Sequence, residues 1–60
     1  MKVGDLVKVI APGDKYESRL GVIAAFESIH YGGMIYPKVL IDGKLFFFAR
    51  KNLEVINEDR

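Results

Sequence analysis

The dipeptide Asp42-Gly43 stands between two apolar runs, Val39-Leu40-Ile41 and Leu45-Phe46-Phe47-Phe48. A two-residue connection of type I′ needs positive φ at both central positions, which Asp tolerates and Gly prefers, so the segment predicts a β-hairpin. The turn also sets the register. Ile41 falls opposite Lys44, Leu40 opposite Leu45, and Val39 opposite Phe46. Neighbouring side chains of a strand point to opposite faces, so Phe46 and Phe48 share one face with Val39. Phe47 shares the other with Leu40 and Leu45. Both faces of one hairpin are therefore apolar, and at least one phenylalanine is expected on the outer side.

The remaining elements follow from β-branched runs and their breakers. Leu6-Val7-Lys8-Val9-Ile10 predicts a first strand, entered through a compact turn at Gly4-Asp5 and stopped by Pro12-Gly13. A polar loop over 13–19 leads to a second strand, Leu20 to Ser28. Gly21 within it marks a bend, bulge or close backbone approach. Tyr31-Gly32-Gly33 reads as a loop. The third strand opens at Met34 or Ile35 and runs to Ile41, with an edge or bulge expected at Pro37. Ala49 to Asn52 predicts a single 3-10 turn, and Leu53 to Ile56 a short last strand. Five short strands suggest an all-β domain in a closed or nearly closed five-stranded barrel, with residues 1–57 as its extent and 58–60 as a frayed tail. The expected core is Val7, Val9, Val22, Ile23, Val39, Ile41, Phe46, Leu53 and Val55.

Composition narrows the chemistry. A chain of 60 residues is one domain, and it has no cysteine, which excludes disulfides and thiolate metal sites. One histidine does not build a metal site alone, so no cofactor is expected. Nine basic residues against eight acidic give a net charge of +1, without the basic excess that phosphate neutralisation favours. No apolar run approaches the roughly 18 residues of a membrane span. No charged start leading into an apolar stretch marks a signal peptide. A cytoplasmic protein with no membrane association is the expectation.

Several residues invite a functional reading. His30 has no cysteine or paired carboxylate near it in the sequence, and a nucleophile–base pair also needs an orienting group and a pocket. It reads as a solvent-facing loop histidine, and no catalytic residue is assigned. The aromatic residues Tyr16, Tyr31, Tyr36, Phe46, Phe47 and Phe48 form the candidate interaction surface, since aromatic rings with polar tips and exposed apolar patches favour interfaces. Lys38, Lys44, Arg50 and Lys51 are the candidate phosphate contacts of an alternative reading. Gly32-Gly33 is not a phosphate loop, because no helix start follows it.

Val3-Gly4-Asp5-Leu6-Val7-Lys8-Val9, Gly21-Val22-Ile23, Asp42-Gly43-Lys44 and Asn52-Leu53-Glu54-Val55-Ile56 together resemble the SH3-like barrel proteins. The likeness is to the short barrels common in tailed phages and their bacterial hosts, and it covers nearly the whole chain. It implies a five-stranded SH3-like barrel with a short 3-10 turn before the last strand. Fold likeness of this kind implies little about activity. Val7, Val9, Gly13 and Gly21-Val22 are also similar to the order found in KOW-type barrels, which implies nucleic-acid association. Tyr16-Glu17 stands where those barrels carry a mid-loop glycine. Val7-Lys8-Val9-Ile10, Pro12, Tyr16, Gly21 and Tyr36-Pro37 resemble the small peripheral subunit of photosystem I. The two termini resemble the variable chain of ferredoxin–thioredoxin reductase. That likeness implies an electron-transport accessory subunit without a cofactor of its own.

The leading expectation is a non-catalytic docking module that binds a protein partner and self-associates through the aromatic hairpin. A nucleic-acid-associated barrel and an electron-transport accessory subunit are the alternatives.

Overall fold

The computed structural model describes residues 1–28 and 33–56, so His30, Tyr31, Gly32 and the expected tail lie outside the described residues. The chain is all-β. Its elements are β1 (Leu6–Val9), β2 (Leu20–Ser28), β3 (Ile35–Ile41), β4 (Lys44–Phe47), a 3-10 turn (Arg50–Asn52) and β5 (Leu53–Val55). Every pairing is antiparallel, and the strands form one sheet in the order β4-β3-β2-β1-β5. The first strand thus lies between the second and the last. No ladder joins β4 to β5 among the described residues, so the sheet is open where a closed or nearly closed barrel was expected.

The hairpin forms as its turn chemistry requires. Asp42 and Gly43 have φ of 52° and 79°, both in the left-handed region, and Ile41, Leu40 and Val39 pair with Lys44, Leu45 and Phe46. Asp42 is also held from the side by an ion pair with Arg19 at the end of the first loop. Pro37 explains where this ladder stops. Proline has no N–H to return a second hydrogen bond, so the Phe48 amide donates to the Pro37 carbonyl at 3.3 Å and the chain then leaves the sheet. Beyond that point β3 pairs only with β2, which is the edge expected at Pro37.

The long β2 is shaped by two residues of different kinds. A Cβ on Gly21 would lie 2.6 Å from Val39 Cγ1, 2.7 Å from Ile41 Cγ1 and 2.7 Å from the Leu40 carbonyl oxygen. Glycine is therefore required by a close approach of β2 to β3, one of the roles expected for it. The bulge lies further along, where the register shifts between Ile23 and Ala25 and leaves Ala24 as the extra residue.

Val7, Val9, Ala11, Ile23, Val39, Ile41, Phe48 and Leu53 make the buried core. Six of the expected core residues are among them. Val22 is a correction. Gly21 occupies the inward slot of β2, so the alternation sends Val22 outward, where it is 40% exposed. Phe46 and Val55 are half-buried against the core. Phe48 replaces Phe46 as the buried aromatic of the core.

Candidate functional site

The outward positions of the sheet are apolar across four strands. Leu6 of β1 pairs with Val22 of β2, Val22 with Leu40 of β3, and Leu40 with Leu45 of β4. At a strand spacing of 4.7–4.9 Å this row is about 14 Å wide. Leu20 lies two residues from Val22 on the same face of β2, and Phe47 lies two residues from Leu45 on β4. Leu20, Val22, Leu40, Leu45 and Phe47 are all exposed, and Leu6 is half-buried. Scattered surface leucines are ordinary, whereas a contiguous apolar row marks an interaction surface.

Charged side chains rim the row. Lys38, opposite Phe47, holds its ammonium group 5.5 Å from that ring's centre and donates to Glu27 Oε2 at 2.8 Å. Lys8 stands opposite Leu20 on one side and Glu54 on the other. An apolar centre with a polar rim is the usual anatomy of a protein interface.

A second aromatic group lies on the inward side, beside the first loop. Asp14 organises that loop: its Oδ1 accepts from the Tyr16 amide at 2.7 Å, and its carbonyl accepts from the Glu17 amide at 3.0 Å. The Ser18 amide donates to the Val9 carbonyl at 2.7 Å and ties the loop to β1. Tyr16 is thereby laid on Phe46, with ring centres 4.5 Å apart, and Phe46 lies 6.5 Å from Phe48. The Arg50 guanidinium covers the ring of Phe26 at 5.3 Å. These contacts close the inner side of the hairpin against solvent.

The candidate aromatic surface is thus divided by the sheet. Phe47 is outward and 39% exposed, Phe46 is half-buried under Tyr16, and Phe48 is 8% exposed and not available to a partner. Tyr36 is half-buried in β3 opposite Glu27, and Tyr31 lies outside the described residues. Leu20, Val22, Leu40 and Leu45 belong to the outer surface but were not singled out from the sequence as site residues. The signal was present for Leu40 and Leu45, whose register with Phe47 follows from the hairpin turn.

The candidate phosphate contacts are divided in the same way. Lys38 is held on the outer face by Glu27 and Phe47, and Arg50 lies over the inward Phe26. Lys44 lies beside the hairpin turn and Lys51 in the 3-10 turn. Among the described residues no three of His, Cys, Asp and Glu group to hold a metal ion, and no helix is long and apolar enough to cross a membrane.

Among the described residues, Asp5 is the buried charged group. Asp5 accepts from the Lys2 ammonium and from the Lys2 backbone amide, both at 2.9 Å. The Lys2 side-chain hydrogen bond, then the backbone one, hold its carboxyl below the ordinary value of 3.8 against the opposing effect of burial. Its place at the turn before β1 makes it a structural anchor for that strand.

Compared with protein-family models, curated proteins and solved structures, the chain matches none.

Proposed function

We propose that this chain is a non-catalytic protein-interaction module that docks through the outer face of β2, β3 and β4. The observation that carries the reading is the exposed apolar row Val22-Leu40-Leu45 with Phe47 beside it. Phe48 is committed to the core and Phe46 is half-buried under Tyr16, whereas the residues of the outer row are exposed and contiguous across β2, β3 and β4. We further propose that the sheet is an SH3-like barrel. The strand order, the pairing of β1 with β5 and the 3-10 turn just before β5 support that assignment. The nucleic-acid alternative draws less support, because Lys38 and Arg50 lie on opposite faces with partners of their own.

Site-directed photocrosslinking tests the reading. Benzoylphenylalanine in place of Leu40 is expected to give discrete protein adducts in cells producing the protein, lost when Phe47→Ser is added. The same probe in place of Lys51 is expected to give none of them. Identical patterns from the two positions, or no protein adduct from position 40, would overturn it. Nucleic-acid adducts from position 51 that weaken steeply with salt would favour the alternative.

A further inference from the structure

The exposed row ends at β4, and β4 is also an open strand edge. In an antiparallel ladder closed by a two-residue turn, Ile41 and Lys44 exchange hydrogen bonds, and every second pair after them does the same. Lys44 and Phe46 therefore direct their backbone groups toward β3. Leu45 and Phe47 direct theirs away from it, toward the free side. No hydrogen bond from a turn or loop reaches Lys44–Phe47 from that side among the described residues. The other end of the sheet differs. β5 has only three residues and carries Glu54 at its centre. β4 is also short and begins with Lys44, but from Leu45 to Phe47 it carries no charge and no proline, and both outward side chains there are apolar and exposed.

We infer that a second copy of this chain pairs with β4 across a two-fold axis passing beside Phe46, joining the two sheets edge to edge. The inference rests on the docking reading above and names one occupant for that surface. The register is dictated by the backbone. Of the two-fold antiparallel alignments, the one that sets Leu45 opposite Phe47 of the other copy satisfies the outward groups of both residues, with four hydrogen bonds in all. Shifting it by one pair in either direction sets Leu45 against itself or Phe47 against itself, and leaves the other residue without its counterpart. The same alignment makes an apolar cross-strand pair on the outer face twice over, Leu45 with Phe47 of the other copy and the reverse. It also separates the two Lys44 side chains. A two-fold contact is self-complementary by construction, which is what this edge offers. The result is a continuous ten-stranded sheet whose outer apolar row runs across both molecules. Edge pairing of four-residue strands buries little area, so the dimer belongs with weak, concentration-dependent associations.

Cysteine trapping tests the inference, since the native chain has no cysteine to give a background. Leu45→Cys and Phe47→Cys are outward substitutions that leave the core intact, which circular dichroism checks. Mixed under mild oxidation, the two variants are expected to form a disulfide-linked heterodimer in preference to either homodimer. Leu20→Cys, on the same face but away from the edge, is expected to form no disulfide-linked species. Sedimentation of the full chain should show mass rising toward twice the monomer with concentration, and Leu45→Lys should raise the dissociation constant at least tenfold. Preferential linkage through Leu20→Cys would replace edge pairing with stacking of the two faces. A monomer at all concentrations with no linkage would overturn self-association altogether. In both cases the docking reading stands or falls separately on the position-40 adducts.

Discussion

The two faces of the β3–β4 hairpin are built from nearly the same residue types and end in opposite environments. Val39, Ile41, Phe46 and Phe48 lie on the inward side, where the first loop lays Tyr16 over them and the core receives Phe48. Leu40, Leu45 and Phe47 lie on the outward side, where Lys38 reaches across the Phe47 ring. Hydrophobicity does not distinguish these sets. What distinguishes them is that the first loop lies against the inward side. The loop that carries Tyr16 lies over Phe46 on the inward face, whereas Leu40, Leu45 and Phe47 stay exposed on the outward one.

Substitution of equivalent residues on the two sides is the most direct way to break this comparison. Phe48→Ala is expected to have the largest effect. Removing a buried phenylalanine costs about 3–5 kcal/mol, comparable to the whole stability of a domain this small. The variant should lack a cooperative urea transition; a transition near that of the parent would mean that the inward face is not the core. Gly21→Ala comes next. It drives a methyl group into the Leu40 carbonyl and two core side chains, with a loss of about 1–3 kcal/mol read from the urea midpoint.

On the outward side, Phe47→Ala should lower folding stability by less than about 1 kcal/mol, the range of a cross-strand pair and an exposed cation–π contact. Its effect belongs instead to association, which sedimentation reads. A loss as large as that of Phe48→Ala would show that the two faces are not different in kind.

The smallest effect is expected at Asp5, whose partner Lys2 is largely solvated, so that solvent screens the pair. Its carboxyl titrates lower in the folded than in the unfolded chain. It therefore contributes stability above the ordinary value of 3.8, and that contribution is lost as pH falls through the depressed folded value. Asp5→Asn should have a lower urea midpoint than the parent at neutral pH, and the difference should close below pH 3.8. A constant difference at all pH values would assign the effect to packing.

Much of this arrangement was legible before any coordinates. Asp42-Gly43 carries its own backbone requirement, so turn, register and the opposition of Phe47 to Phe46 and Phe48 all followed from local chemistry. The strand limits of β2 and the 3-10 turn were legible for the same reason. Val22 was misplaced because nothing local says that a glycine takes an inward slot; the reason is the bulk of Val39 and Ile41 across the sheet. The division between Phe46 and Phe48 was equally out of reach. It depends on Tyr16 arriving from a loop 30 residues earlier, which the Asp14 turn positions. Openness of the sheet between β4 and β5 is likewise a property of the whole assembly of strands.

The positive φ values at Asp42 and Gly43 also order events in time. A hairpin closed by its own turn forms in about 1–10 μs, whereas Val7 must find Val55 across most of the chain before β1 and β5 pair. The hairpin is therefore expected to be the first pair of strands to form. Gly43→Ala should accordingly slow refolding more than it speeds unfolding in stopped-flow measurements. If the hairpin also meets its counterpart on another chain at that stage, assembly begins while each molecule is still folding, and the yield of native protein depends on how dilute the nascent chains are.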